Sequence, residues 1–327
     1  MHILITGAAG MIGRKLVARL VESGELNGRK IDKLTLTDVG APQRPEKFAG
    51  SVDAFAADIG DPATAARAVA GRADVIFHLA AIVSGEAELD FEKGTRVNLD
   101  GSRALLEAIR AAGEGYRPRF VFTSSIAVFG APFPETIGDD FHRTPLTSYG
   151  TQKAIVELLL ADYTRRFFVD GVGIRLPTVS VRPGQPNKAA SGFFSSIIRE
   201  PLAGEEAVLP VEESVMHWHA SPRSAVGFLV HAAGLPGEKL GPRVNLTMPG
   251  VACTVAEQIA ALRRIAGDQV AARIRRKPDP LIARIVAGWP RRFDPARALA
   301  LGFRAETSFD EIIRAYIEDE LGGTIAA

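Results

Sequence analysis

The stretch ITGAAGMIG (residues 5–13) decides the fold of this chain, because it joins a short apolar run to a helix-like segment. HILIT (2–6) overlaps its start, and the apolar residues of GRKLVARLVESG (13–24) recur at helical spacing after it. Three evenly spaced glycines allow a tight turn that approaches a pyrophosphate closely, and the helix N-terminus adds N–H groups and a favourable dipole. A glycine-rich turn without a ligand is the alternative, but its position at the first strand–helix junction predicts a dinucleotide site.

Strand-like and helix-like segments alternate along the first half of the chain. KLTLTD (33–38), ADVIFHLAA (73–81) and PRFVFTSSIAVFG (118–130) are continuous apolar runs, and helices are predicted near 92–112 and 149–169. Continuous apolar strands joined by helices are typical of a parallel sheet buried on both faces. The prediction is an α/β fold with a doubly wound parallel sheet, the Rossmann fold, and a smaller C-terminal substrate-binding lobe.

The composition changes at about residue 181, where a loop rich in proline, glycine and asparagine begins. We expect the nucleotide-binding domain to span 1–180 and also about 216–247. Residues 181–327 should mainly form the smaller lobe, interleaved with the first domain. The basic run RIRRK (273–277) is interpreted as the solvated end of a helix.

Length and charge limit the class of protein. The chain has 327 residues, of which 46% are hydrophobic, enough for a substantial core. Its 39 basic and 38 acidic residues give no reason to expect nucleic acid or an anionic membrane as a partner. No apolar run approaches the ~20 residues that span a bilayer, and the single cysteine, Cys253, cannot form an intrachain disulfide. With a strand predicted at the first residues and no room for a cleaved signal, we expect a cytoplasmic protein.

Asp38 ends the run KLTLTD, about 25 residues after Gly13. A carboxylate at this point accepts hydrogen bonds from the ribose diol of an adenosine and repels a 2′-phosphate. The following loop brings no arginine before Arg44. The prediction is NAD rather than NADP as the cofactor, with an aspartate that merely starts a turn as the alternative.

The stretch TSYGTQKAIVELLL (147–160) places Tyr149 and Lys153 on one face of a predicted helix. Tyrosine is a poor base at neutral pH, but a nearby ammonium and an oxidised nicotinamide favour the phenolate and lower its pKa. Ser125 ends a predicted strand, where parallel sheets place their ligands. We expect Ser125 to hold a substrate hydroxyl while Tyr149 removes its proton and a hydride passes to NAD. A surface Tyr–Lys pair and a serine that only satisfies backbone groups are the alternatives.

These features resemble the extended branch of the short-chain dehydrogenase/reductases, the NAD-dependent epimerase/dehydratase family, over nearly the whole chain. TGAAGMIG (6–13) matches the family's nucleotide loop, and DPARALALGF (294–303) matches its C-terminal signature. The resemblance implies a homodimer that pairs the two helices near 92–112 and 149–169. The catalytic residues that it implies are Ser125, Tyr149, Lys153 and Asn98. The cofactor-binding residues that it implies are Gly7, Gly10, Met11, Ile12, Gly13, Asp38, Asp58, Ile59, Leu79, Ala80, Ala81, Asn98, Tyr149, Lys153 and Pro177.

Departures from the family's pattern narrow the reaction. The family's 4,6-dehydratases carry an Asp-Glu pair after the catalytic Ser or Thr, where this chain has Ile126 and Ala127, which cannot do acid–base chemistry. Many of its sugar-nucleotide epimerases have an asparagine that touches the diphosphate, where this chain has Thr178. An NAD-containing nucleotide-sugar epimerase is weakened by this difference and stays the alternative function.

The loop SVRPGQPNKAASGFF (180–194) is expected to face the substrate. A guanidinium such as that of Arg182 suits bidentate binding of a carboxylate. Together with HWHASPRSAV (217–226), the loop is similar to that of the D-erythronate dehydrogenases, a group within the family. This resemblance implies oxidation of a four-carbon sugar acid, D-erythronate, at C2 to the 2-oxo acid. Surface packing of the arginine and a turn-forming asparagine are the alternatives. The substrate-binding residues expected are Ser125, Tyr149, Arg182, Asn187 and Ser191.

Three histidines are further candidates for functional groups. His217 and His219 are two residues apart and would share one strand face, a spacing that can hold zinc. No nearby arrangement of Asp, Glu or Cys completes such a site, so we expect packing or substrate contact and no metal. His78 is interpreted as a strand-end residue beside the cofactor rather than a base.

Overall fold

The computed structural model describes residues 1–184 and 190–325. Among the helices of these residues, none is long and apolar enough to cross a membrane. The strands, in chain order, are β1 (His2–Thr6), β2 (Glu25–Leu26), β3 (Arg29–Lys30), β4 (Lys33–Asp38), β5 (Ser51–Ala56), β6 (Val75–His78), β7 (Arg119–Ser125), β8 (Asp170–Leu176), β9 (Thr178–Val179), β10 (Ala207–Leu209), β11 (Met216–Ala220), β12 (Asn245–Thr247), β13 (Val251–Thr254) and β14 (Ile274–Arg276).

The helices follow the strands in an alternating order through the first half of the chain. One π-helix covers Thr95–Asp100, and single 3₁₀ turns cover Ile126–Val128 and Gly237–Leu240. The α-helices are α1 (Met11–Ser23), α2 (Pro62–Val69), α3 (Ser84–Leu89), α4 (Phe91–Gly94), α5 (Gly101–Ala111), α6 (Ser148–Arg165), α7 (Gly192–Leu202), α8 (Pro222–Gly234), α9 (Val255–Ala266), α10 (Asp268–Ala271), α11 (Pro280–Ala287), α12 (Ala296–Ala300) and α13 (Phe309–Glu320).

The chain divides into two compact units, each made of three segments. The first unit consists of Met1–Val128, Pro145–Arg175 and Val226–Thr247. The second unit consists of Phe129–Thr144, Leu176–Ala225 and Met248–Ala327.

A seven-stranded sheet in the order β12–β8–β7–β6–β1–β4–β5 forms the centre of the first unit. β1 pairs in parallel with both β4 and β6, and the strand order reverses at β1. Leu4, Ile76 and Phe120, from three neighbouring strands, have no exposed surface, as expected of a sheet covered on both faces. The predicted α/β Rossmann fold is confirmed. In such a sheet a ligand binds at the carboxyl ends of the strands where the order reverses, here at β1 and β6.

The helix predicted near 92–112 is interrupted by the π-helix. The wider turn begins after Gly94 and ends at Gly101, and it carries Asn98 with no exposed surface. A Cβ on Gly101 would lie 2.8 Å from the carbonyl oxygen of Ile59, so the start of α5 packs directly against that backbone. Apolar spacing cannot distinguish a π turn from an α turn, and the interruption was therefore missed.

The second unit contains a three-stranded sheet, β13–β11–β9, and a two-stranded sheet, β10–β14. Its core includes Phe194 of α7, Leu262 of α9 and Ile313 of α13, all without exposed surface. These side chains lie on the apolar stripes that the sequence places at helical spacing.

The interpretation of RIRRK as the end of a helix is wrong. Its central residues form β14, which pairs in parallel with β10. Arg275 and Arg276 form ion pairs with Glu206 and Glu212, close to the partner strand. The strand depends on a partner that is distant in the sequence, so local composition could not reveal it.

Candidate active site

The glycine loop between β1 and α1 depends on contacts that a side chain would prevent. Gly7 has a φ of 77°, and a Cβ there would lie 2.6 Å from the backbone nitrogen of Ala80. A Cβ on Gly13 would collide with the carbonyl oxygen of Gly7. The N–H groups of Gly7 and Ala8 both donate to the carbonyl oxygen of Thr37, at 2.8 and 3.1 Å. The loop is therefore fixed on β4 by its backbone.

The N-terminus of α1 supplies donors for an anion at this loop. The N-cap of α1 is Gly10, so no side chain at this position caps the first N–H groups of the helix. The first N–H groups of a helix have no partner within the helix, so Met11 and Ile12 present theirs toward the loop. A turn of glycines and alanines beside a helix N-terminus fits the pyrophosphate of a dinucleotide.

Two carboxylates lie near the ends of β4 and β5: Asp38 is the last residue of β4, and Asp58 follows β5. Asp38 accepts a hydrogen bond from the N–H of Ala9 at 2.9 Å, which fixes it beside the glycine loop. Asp58 accepts from the N–H of Gly60 at 2.8 Å and pairs with Arg96 at 2.7 Å. Burial acts to raise the pKa of Asp58, but these hydrogen bonds outweigh it and hold that pKa below its ordinary value. Asp58 is therefore an anion at neutral pH.

The segment after β6 packs against the end of β1. The N–H of Leu79 donates to the carbonyl oxygen of Thr6 at 3.1 Å, and the N–H of Ala80 donates to the Thr6 hydroxyl at 3.4 Å. Ala81, the next residue, is exposed. The predicted cofactor segment thus runs from the sheet to the surface directly beside the glycine loop.

Asn98 connects that segment to the helix of Tyr149. Its side-chain oxygen accepts from the N–H of Ile82 at 2.9 Å, and its amide nitrogen donates to the Gln152 side chain at 2.9 Å. Gln152 lies on α6 between Tyr149 and Lys153, and its own amide nitrogen is buried with no hydrogen-bond partner in the described residues. One buried amide therefore holds both the segment after β6 and the helix α6 that carries Tyr149.

Lys153 is buried one helical turn after Tyr149. Its Nζ donates to the carbonyl oxygen of Thr123 at 2.9 Å and lies 5.7 Å from the centre of the Tyr149 ring. Burial lowers the pKa of the Lys153 ammonium from 10.5 to about 7. The lysine is therefore able to hold or release a proton near neutral pH.

Gly150 determines how α6 meets the end of β7. The N–H of Gly150 donates to the N-cap hydroxyl of Thr147 at 3.1 Å. A Cβ on Gly150 would collide with the carbonyl oxygen of Ala127, whose N–H donates to the Ser125 hydroxyl at 3.1 Å. The missing side chain lets the first turn of α6, with Tyr149, pack against the turn that follows Ser125.

Glu157 is a buried acid in this site that the sequence analysis missed. Its side chain has no exposed surface, and it accepts from the Ser124 hydroxyl at 2.6 Å. Arg175 binds its two oxygens at 2.8 Å each. This bidentate pair satisfies both carboxylate oxygens and fixes α6 against β7 and β8. The available signal was the spacing of Tyr149, Lys153 and Glu157, which puts all three on one helical face.

The loop of residues 180–194, in which substrate-binding residues are predicted, belongs to the second unit. Arg182 donates to the Ser191 hydroxyl at 2.7 Å and to the carbonyl oxygen of Val179 at 2.9 Å. Asn187 lies outside the described residues. Pro177 is buried between β8 and β9. Substrate or cofactor binding by these residues stays a prediction.

His217 and His219 are buried in the second unit. Nδ1 of His217 donates to the carbonyl oxygen of Pro290 at 2.9 Å, and its Nε2 bonds with the Thr178 hydroxyl at 2.6 Å. Burial lowers the pKa of His217 to about 4, so the ring is neutral at neutral pH. Across residues 1–184 and 190–325 no group of three His, Cys, Asp or Glu side chains could hold a metal ion.

The fold and the arrangement of the site are consistent with an extended short-chain dehydrogenase/reductase, and comparison with known proteins identifies a nicotinamide-dependent enzyme of this class. Residues 3–219 match the model of the NAD dependent epimerase/dehydratase family. The chain belongs to this family, as the sequence motifs predict.

Particular relatives are similar over nearly their whole length. The D-erythronate dehydrogenase of Cupriavidus necator is 50% identical over 98% of both chains. That of Haemophilus influenzae is 41% identical over 98% of this chain and 100% of its own. A crystal structure described as the nucleoside-diphosphate-sugar epimerase from Agrobacterium tumefaciens is 64% identical, covers 100% of this chain and 96% of that chain, and has a TM-score of 0.98. The two dehydrogenases confirm the prediction of a dehydrogenase.

Proposed function

We propose that this protein oxidises D-erythronate at C2 to the 2-oxo acid and uses NAD as the oxidant. The two D-erythronate dehydrogenases similar along the whole chain support this sugar acid. The observation that carries the chemistry is the buried Lys153, whose ammonium lies 5.7 Å from the Tyr149 ring and whose pKa is about 7. A proton-handling pair at this strand end suits oxidation of a hydroxyl.

In the proposed reaction, Tyr149 takes the proton of the C2 hydroxyl while Ser125 donates a hydrogen bond to the same oxygen. The Lys153 ammonium attracts negative charge and favours the phenolate form of the tyrosine. When bound, NAD supplies the oxidising chemistry by accepting the hydride from C2. The C–H and O–H bonds break, a C=O bond forms, and one proton is released for each NADH.

We propose that Gly7, Met11, Ile12 and Asp38 bind NAD in preference to NADP. Asp38 is fixed beside the glycine loop by the N–H of Ala9, and its charge would repel a 2′-phosphate. Asp38→Asn should lower the ratio of kcat/KM for NAD to that for NADP by about tenfold or more. An unchanged ratio would mean that another group selects the cofactor.

We propose that the planar guanidinium of Arg182 binds the carboxylate of the sugar acid, and that Ser191 and Asn187 also bind the substrate. In support, Ser191 and the Val179 carbonyl already hold the guanidinium in one orientation. Arg182→Lys keeps the positive charge but removes the planar N–H groups that can bind both carboxylate oxygens. The KM for D-erythronate should therefore rise while the Kd for NAD is unchanged. An unchanged KM would remove Arg182 from the substrate site.

A nucleotide-sugar epimerase is the second candidate, because the 64% identical crystal structure carries that description. Such an enzyme would interconvert sugar nucleotides without net formation of NADH. Thr178, at the position where many epimerases have an asparagine for the diphosphate, bonds instead to the buried His217 at 2.6 Å. This contact weakens the epimerase assignment, because the Thr178 hydroxyl is already engaged within the protein.

The net formation of NADH distinguishes a sugar-acid dehydrogenase from a nucleotide-sugar epimerase. The purified protein would be given NAD with a panel of four- and five-carbon sugar acids, and in parallel UDP- and GDP-hexoses. The proposal expects NADH to accumulate with D-erythronate and no change in the sugar nucleotides. Epimerised sugar nucleotides without NADH from any sugar acid would establish the second candidate instead.

We also propose that the protein forms a homodimer through α6. Leu158 and Ile155 lie three residues apart on this helix and are 57% and 38% exposed, and Leu89 on α3 is 81% exposed. Burying such side chains against a second copy would remove apolar surface from water. Leu158→Glu should convert the dimer to a monomer in sedimentation experiments, whereas Glu at the exposed Leu299 of the second unit should not. A wild-type monomer would refute the proposal.

We propose a cytoplasmic location, where the single cysteine would stay reduced. Cys253 is buried, and burial raises the pKa of its thiol to about 12, so it is an unreactive core residue. Fractionation of cells that make the tagged protein would test this, and recovery in a membrane or secreted fraction would overturn it.

A further inference from the structure

The buried residue His78 lies between the end of β1, where the glycine loop begins, and the start of α5, where the π-helix ends. It ends β6, is 1% exposed and stacks against Phe122 with ring centroids 5.9 Å apart. Its Nδ1 lies 2.7 Å from the Thr6 hydroxyl, and its Nε2 lies 2.8 Å from the Ser102 hydroxyl. Both ring nitrogens therefore form hydrogen bonds to other elements of the first unit.

The direction of each hydrogen bond follows from the chemistry of its ends. The carbonyl oxygen of Asn98 only accepts, so the Ser102 hydroxyl gives its one hydrogen to it, at 2.7 Å. Ser102 can then only accept from His78, so Nε2 carries the ring proton and Nδ1 accepts from the Thr6 hydroxyl. The Thr6 oxygen accepts in turn from the N–H of Ala80, at 3.4 Å. Burial lowers the pKa of His78 to about 3, which keeps a single proton on the ring.

We propose that His78 is a positioning residue that fixes the Asn98 backbone relative to the glycine loop through this one-way chain of hydrogen bonds. The inference rests on the proposed function, in which Asn98 and the loop serve one reaction. We call Thr6, His78 and Ser102 the relay. These three residues are at most 1% exposed, so they cannot touch cofactor or substrate and must act through their neighbours.

The two ends of the relay meet groups that belong to the site. At one end, Ala80 packs closely on Gly7: a Cβ added to Gly7 would lie 2.6 Å from the backbone nitrogen of Ala80. At the other end, the Asn98 side chain holds Ile82 and Gln152. Because the π-helix lacks the regular α-helical bonding pattern, the Ser102–Asn98 bond is an added restraint on that backbone. A displacement at the glycine loop would therefore reach the residue that holds the catalytic helix.

The ring tautomer of His78 tests the direction of the relay in the cofactor-free protein. Long-range proton–nitrogen NMR of ¹⁵N-histidine-labelled protein distinguishes the protonated nitrogen from the acceptor nitrogen, and the signal lost in His78→Asn assigns the residue. The inference expects the proton on Nε2 at neutral pH. A proton on Nδ1 would reverse both hydrogen bonds of the His78 ring, take the Ser102 hydrogen away from the Asn98 carbonyl and overturn the inference.

A double-mutant cycle on NAD affinity tests whether the relay acts as one unit. Thr6→Val and Ser102→Ala, on opposite sides of His78, should each raise the Kd for NAD by about three- to tenfold. If the two changes were independent, the Kd of the double variant would rise by the product of the two single increases. We expect an increase smaller than that product by a factor of about three or more, because either single change already releases the His78 ring. Effects that simply multiply would overturn the inference.

Thr35→Val is the matched control for Thr6→Val. Thr35 is also a buried threonine, on the neighbouring β4, but its hydroxyl bonds to His2 at 2.8 Å and not to the relay. Its effect on the Kd for NAD should multiply with that of Ser102→Ala. Neither the tautomer nor the NAD cycle needs a substrate, so a failure to oxidise D-erythronate would count against the proposed function alone.

Discussion

Replacing Lys153 with methionine should stabilise the protein, and the gain should fade as the pH rises. Burial lowers the pKa of this ammonium from 10.5 to about 7, whereas a lysine in the unfolded chain titrates at its ordinary value. Between these two values the unfolded chain binds more protons than the native protein, so the unfavourable contribution of Lys153 shrinks as the pH rises. Methionine has a similar length and no charge to bury.

The pKa of Lys153 sets the magnitude of this effect. The pKa of Lys153 is about 3.5 lower in the native protein than in the unfolded chain, and each unit of pKa corresponds to about 1.4 kcal/mol. At pH 6 the buried ammonium therefore lowers the free energy of unfolding by about 5 kcal/mol. At pH 9 the native lysine is neutral, and the cost of deprotonating it relative to the unfolded chain is about 2 kcal/mol. The lost hydrogen bond to the Thr123 carbonyl subtracts a similar amount at both pH values. The stability difference between Lys153→Met and wild type should therefore shrink by about 3 kcal/mol from pH 6 to pH 9.

Urea unfolding of both cofactor-free proteins at the two pH values measures this difference. Lys93→Met is the control, because Lys93 is exposed and its hydrogen bond to Glu86 raises its pKa, so it stays protonated over this range. A stability difference for Lys153→Met that is the same at pH 6 and pH 9 would show that the buried lysine has an ordinary pKa and refute the reasoning.

Three further substitutions test the site. Tyr149→Phe should lower kcat by about a hundredfold or more with the Kd for NAD little changed, because it removes the group that accepts the proton. Gly150→Ala should lower kcat by about tenfold or more, since its Cβ would displace the first turn of α6 from the Ala127 carbonyl. Glu157→Gln should lower the free energy of unfolding by about 3–5 kcal/mol in urea titrations, because Arg175 loses its buried charge partner.

Each of these substitutions has a control or a contrary outcome. Comparable activity of Tyr149→Phe would remove the phenolate from the mechanism. Gly227 is exposed in α8, and a Cβ there would have no atom within 4 Å beyond its chain neighbours and the backbone of its own helix, so it should accept alanine with unchanged kcat. An equal loss at both glycines would contradict the packing argument. Glu86→Gln breaks an exposed ion pair with Lys93, and a loss of stability as large as that of Glu157→Gln would contradict the role of burial.

The parts of the fold that depend on local sequence could be predicted. The glycines at positions 7, 10 and 13 and the apolar strand before them define the first turn, because backbone freedom and burial act within a few residues. Tyr149 and Lys153 could be placed on one helical face by spacing alone. The position of Thr147 at the N-cap of α6 fits the same local rules.

Other features depend on partners that are distant in the sequence. Glu157 looks like an ordinary helical charge until Arg175 and Ser124 are brought beside it by β8 and β7. The orientation of His78 is set by Thr6 and Ser102, which lie on a different strand and a helix. Such groups are buried only because their partners satisfy them, and a single sequence does not reveal these pairings.

D-erythronate that carries deuterium at C2 tests the central proposal most directly. The purified protein would be incubated with this substrate and NAD, and both products would be analysed by mass spectrometry. The proposal expects one deuterium in the reduced cofactor for each 2-oxo acid formed, and none at C2 of the product. Reduced cofactor without deuterium would place the oxidation at another carbon, and no reduced cofactor at all would contradict the assignment as a D-erythronate dehydrogenase.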